Sequence, residues 1–116
     1  MFIAEFPWQD AADVVNRWQR WAPNTTKLLD TICTLGTGIG TATCSVIGQY
    51  LGSQGALRRV LNGLTSVVEP SGLSVGTSGY LDLMKRWAGC AGLSLAECHL
   101  KGASPDGALS RDTLVG

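Results

Sequence analysis

A single histidine, His99, is all that this chain offers for imidazole chemistry, so no nucleophile–base pair can be argued from spacing. Neither C-x-x-C nor C-x-x-C-H occurs among the four cysteines, which removes thioredoxin-like and haem-attachment readings. Charge of one sign is lacking too: nine basic and nine acidic residues cancel, and neither kind clusters. A basic stripe for nucleic acid and a polybasic membrane anchor are thereby excluded. The stretch from Thr31 to Leu57 carries no charge at all. Its six glycines and five threonines leave it too polar and too broken to cross a bilayer. The N-terminus, MFIAEFPWQD, shows no basic segment leading into an apolar run, so no signal peptide is visible and a cytoplasmic location is favoured.

What remains is the composition of a folded protein, apolar with few charges, in 116 residues that suit one modest core. Phe2, Ala4 and Phe6 alternate with Ile3 and Glu5, a short strand that Pro7 ends. From Asp10, a candidate N-cap, the period changes: Ala11, Val14, Val15, Trp18 and Trp21 recur at helical spacing until Pro23. Residues 27–35 and 41–51 read as two strands about a Gly-rich bend. Ser53 is placed to cap a second helix striped by Leu57, Val60, Leu61, Leu64 and Val68, which Pro70 and Gly72 stop. Leu73 and Val75 suggest a fourth strand, and residues 80–87 a third helix. The order β-α-β-β-α-β predicts an α+β fold, the ferredoxin-like split βαβ arrangement, with helices on one face of an antiparallel sheet. Residues 1–100 form that domain, with 101–116 a polar, loosely ordered tail.

The hairpin sets the faces. A bend centred between Gly38 and Ile39 opposes Cys33 to Cys44, Thr31 to Val46 and Leu29 to Gly48. Opposed residues share a face, and this set, with Leu35, Tyr50, Phe2, Ala4 and Phe6, is the more apolar one. It is expected beneath the helices. The open side then presents Glu5, Asp30, Thr34, Ser45, Ile47 and Gln49, a mixed polar surface suited to lining a cleft. Glu5 and Asp30 are candidates there for acid/base chemistry, against the commoner role of solvated surface carboxylates.

Gly36, Gly38 and Gly40 invite a phosphate-loop reading, but such a loop needs a helix N-terminus after it, and residues 41–51 read as strand. The glycines are therefore turn formers. Cys33 and Cys44 are expected as buried thiols, which behave as small apolar groups, rather than as a cross-strand disulfide. Cys90 and Cys98-His99 lack the two close ligand pairs that zinc wants. A disulfide between Cys90 and Cys98, closing a small loop after the third helix, is the other reading. Trp18 and Trp21 lie on the apolar stripe and read as core; Trp8 is a candidate for an outside contact.

Three segments, FPWQDAADVVNRWQRWAP, SVIGQYLGSQGALRRVL and YLDLMKRWAGCAGLSLAECHLKG, resemble the substrate domain of bacterial berberine-bridge-enzyme-like FAD-linked oxidases. These belong to the vanillyl-alcohol oxidase / p-cresol methylhydroxylase superfamily. The resemblance rests on W-x-x-W-A-P at Trp18 to Pro23 and on G-x-Y-x-G-S at Gly48, Tyr50, Gly52 and Ser53. It continues in Tyr80-Leu81-Asp82, Trp87 to Cys90, and Cys98 to Leu100. It implies a part of an enzyme that oxidises an alcohol or sugar-like substrate by hydride transfer to FAD. The flavin domain has no counterpart here, so the isolated chain is expected to be inactive and to bind no FAD. No residue matches a catalytic, flavin-ligating or metal position of the family. Glu5, Asp30, Ser45, Ile47 and Gln49 are the substrate-cleft candidates. The implied partner of the open face is the FAD domain or a second copy. The alternative is a standalone ferredoxin-like binding or dimerisation module without catalytic activity.

Overall fold

The computed structural model describes residues 1–100, and the expected polar tail at 101–116 lies outside them. The chain divides into two compact units, one of residues 1–77 and one beginning at Ser78. The first holds strand β1 (Phe2–Phe6), helix α1 (Ala11–Trp21), strands β2 (Leu29–Gly38) and β3 (Thr41–Tyr50), helix α2 (Gln54–Thr65) and strand β4 (Gly72–Val75). They form one antiparallel sheet in the order β2-β3-β1-β4, in which each βαβ crossover skips over one intervening strand. This is the α+β, split βαβ arrangement that the element order predicts.

Alternation along the strands builds the core. Phe2 (1% exposed), Ala4 and Phe6 of β1 and Cys44 and Val46 of β3 are buried with Val14 and Trp21 of α1 and Leu57, Leu61 and Leu64 of α2. Each large side chain so buried contributes roughly 1.5–3 kcal/mol of hydrophobic stabilisation. The tryptophans of α1 add directional ties: Trp18 Nε1–H donates to Thr31 Oγ1 of β2 at 2.8 Å, and Trp21 Nε1–H to the Val60 carbonyl of α2 at 3.0 Å. An indole thus packs its ring while its one donor stays satisfied. Ser53 caps α2, its side chain accepting from the Ala56 N–H at 3.2 Å. Asp10 does not act as the expected side-chain cap; a 3₁₀ turn at Trp8–Asp10 leads into α1 instead, with Asp10 N–H bonded to the Pro7 carbonyl.

The hairpin register differs from the expected one by two residues. Cys33 pairs with Val46 and Cys44 with Leu35, because the bend is the two-residue turn Ile39-Gly40 and Gly38 still pairs with Thr41. Gly40 alone in this loop has positive φ (+80°), so it turns the chain, while Gly36 and Gly38 remain in the ladder. A shift of two preserves every face assignment. Gly48 sits where a Cβ would lie 2.5 Å from the Asp30 carbonyl oxygen and 2.6 Å from the Phe2 ring. That close approach explains the first glycine of G-x-Y-x-G-S, as the cap explains its serine.

The second unit contains helices α3 (Tyr80–Trp87) and α4 (Leu95–Leu100), and among its described residues Leu83 and Cys90 are buried. Cys90 and Cys98 form a disulfide across the turn between the two helices, which removes both from any ligand set. Ser94 and Glu97 form a capping box at the start of α4, each side chain accepting from the other's backbone N–H at 3.1 Å.

Candidate functional site

The two faces of the sheet differ sharply. α1 and α2 cover one; the other is bare in the first unit and carries all five cleft candidates. Glu5 lies on the central strand β1, directly opposite Ser45 of β3 and Gly72 of β4, and Ser45 in turn opposes Thr34 of β2. One row across the sheet therefore reads Thr34, Ser45, Glu5, Gly72. The next reads Ile32, Ile47, Ile3, Ser74, and beyond it Asp30 opposes Gln49.

The face is less polar than the sequence suggested. Ile3 and Ile32 join Ile47 to make an apolar band across three strands, with Ile32 51% exposed. Strand alternation carried the signal, since Ile3 and Ile32 alternate with covered-face residues. The polar groups sit on either side of the band: Glu5 and Ser45 on one, Asp30 and Gln49 on the other. Along a strand these two clusters lie roughly 13 Å apart, and the Glu5 and Asp30 backbones roughly 16 Å, from strand rise and spacing. That is too far for the two carboxylates to act on one bond as an acid/base pair. They can hold two ends of one ligand, each accepting from its hydroxyl groups.

The cysteines are placed against chemistry. Cys33 and Cys44 share the covered face, with Cys44 buried and Cys33 half-buried. Burial pushes both thiols above the ordinary value of 9.0, and Cys44 adds to the rise at Cys33. Neutral thiols of this kind are poor nucleophiles. Among the described residues no three His, Cys, Asp or Glu side chains group as a metal site. A polar groove of 390 Å³ between α1 and the segment after α2 is lined by Asp10, Asp13, Arg17, Arg20 and Glu69. Arg17 there donates from Nε and Nη2 to the Gly63 carbonyl at 2.9 and 2.8 Å, which makes it a tie between helices.

No family model, curated protein or solved structure matches the chain. No helix among the described residues is long and apolar enough to cross a membrane.

Proposed function

We propose that this chain supplies the substrate-side surface of an FAD-dependent oxidoreductase of the berberine-bridge-enzyme-like group, one that oxidises an alcohol or sugar-like substrate. The observation that carries the reading is the gathering of Glu5, Asp30, Ser45, Ile47 and Gln49 on the one sheet face that α1 and α2 leave bare. In the resembled family that face looks toward the flavin ring. The Ile3–Ile47–Ile32 band is a flat apolar floor for the carbon skeleton of a substrate, and the polar clusters on either side fix its hydroxyls.

The described residues do not fit a flavin-holding site. Cys33 and Cys44 lie on the covered face, Cys90 is bonded to Cys98, and the Gly-rich stretch is a hairpin rather than a loop opening a helix. The flavin, whose own chemistry is the hydride transfer, belongs to another segment or subunit, and this chain binds and orients substrate.

A chimera tests this. In a full-length berberine-bridge-enzyme-like oxidase, residues 2–75 of this chain replace the corresponding segment, and flavin absorbance is followed under alcohols and sugars. Flavin binding with substrate-dependent bleaching is expected, with bleaching slowed at least about tenfold by Glu5→Gln or Asp30→Asn. A flavin-loaded chimera indifferent to both substitutions overturns the cleft assignment. Oxygen uptake by the 116-residue chain with FAD alone overturns the assignment of the flavin to other sequence.

The isoleucine band, exposed at Ile32, favours one second reading, a non-catalytic ferredoxin-like module that docks through this face. Loss of self-association on Ile47→Asp, seen by light scattering, marks that case.

A further inference from the structure

The outer strand of the sheet poses a separate question. Along the far side of β2 no strand pairs among the described residues. The Leu51 N–H donates to the Leu28 carbonyl at 3.0 Å, which fixes the hydrogen-bonding phase of the ladder. Asp30, Ile32 and Thr34 share that phase and turn their backbone groups toward β3. Thr31, Cys33, Leu35 and Thr37 turn theirs outward. Edge strands are ordinarily blunted by charges, prolines, bulges or shortness. β2 runs ten residues with an uninterrupted register, contains no proline, and has Asp30 as its one charge.

The helical layer is open on the same side. A groove of 690 Å³ runs along α1, lined by Trp8, Ala11, Ala12, Val15, Gln19 and Leu35. Trp8, Ala12, Val15 and Gln19 recur every three or four residues, a second stripe distinct from the Val14, Trp18 and Trp21 face that meets the core. Trp8 and Leu35 are 44% and 51% exposed. An occupant must therefore bring a strand to β2 and, in the layer above it, a helix to α1. This chain has that two-layer edge itself.

We propose that two copies of the chain associate edge to edge, β2 against β2 antiparallel about a twofold axis, with the two α1 helices closing the groove between them. A twofold perpendicular to the sheet keeps each face on its own side, so odd positions meet odd and even meet even. Centring the axis on Ile32 sets Ile32 against its counterpart and Leu35 against the second copy's Leu29. Thr31 and Cys33 become the hydrogen-bonded pair, in agreement with their outward backbone groups. Asp30 falls opposite Thr34, which keeps the two carboxylates roughly 13 Å apart. The isoleucine bands then join into one ridge across both copies, and the open face stays free. The interface is independent of the flavin reading and differs from docking through that face.

Sedimentation of the full chain tests it, with Ile32→Cys oxidised in a Cys33→Ser background. A dimer is expected, crosslinked through position 32, as the close Cα separation of a non-hydrogen-bonded pair allows. Thr34→Cys in the same background is not expected to crosslink. Leu35→Pro removes an outward N–H without touching the β2–β3 ladder and weakens dimerisation at least about tenfold. Ile47→Asp leaves the dimer intact. Circular dichroism checks that each variant folds. A monomeric chain, a folded Leu35→Pro variant that dimerises normally, or a dimer broken by Ile47→Asp and not by Leu35→Pro overturns the proposal.

Discussion

One strand can face two environments, and β1 shows the contrast most clearly. Phe2, Ala4 and Phe6 are fixed beneath two helices, while Ile3 and Glu5, one residue away, stand on a surface nothing in the first unit covers. On the covered side each side chain is constrained by volume, so substitutions register as stability. On the open side the chain has freedom, and residues there are free to answer to a ligand or partner. The difference separates the residues that make the fold from those available for function.

Phe2→Ala strikes the covered face hardest: thermal and urea unfolding are expected to show a loss of about 3–5 kcal/mol. Gly48→Ala comes next, because its Cβ meets the Asp30 carbonyl and the Phe2 ring; about 1–3 kcal/mol should go, and a wild-type urea midpoint would disprove the close approach. A pH effect follows from the raised thiols of Cys33 and Cys44. The folded state holds these protons more tightly than the unfolded chain, so their contribution is complete below pH 9.0 and is lost as pH rises through the folded-state values. Melting temperature should fall in that alkaline range, and less steeply in a Cys33→Ala/Cys44→Ala variant. The smallest effect belongs to the open face, where Glu5→Gln should shift stability by less than about 0.5 kcal/mol. A large loss there would erase the distinction between the faces.

Much of this architecture was legible because strands obey parity. A bend set one residue early moves the pairing by two and gives Cys33 and Cys44 the wrong partners, yet leaves each residue on its correct face. The pairing itself depended on which glycine takes positive φ, and composition does not distinguish Gly38 from Gly40. The Asp10 cap failed for a related reason: a preceding 3₁₀ turn already shapes the entry to α1, and its geometry is set by Pro7 and Trp8 jointly. At the candidate site the five polar and apolar candidates could be sorted to a face from alternation alone. Their division into two distant clusters could not, because that depends on strand order, with β3 standing between β1 and β2. The isoleucine band is equally a matter of parity, since Ile3, Ile32 and Ile47 hold the same phase as Glu5, Asp30 and Ser45.

The paired indoles of α1 also serve as gauges. Trp18 and Trp21 are three positions apart, yet one donates its ring proton to a strand and the other to a helix. Each proton therefore exchanges with solvent only when its own contact opens. Followed by NMR in deuterated water, the two resonances report separately on the parting of α1 from the sheet and of α1 from α2. The native sequence thus carries, without any attached label, a means of asking which layer lets go first.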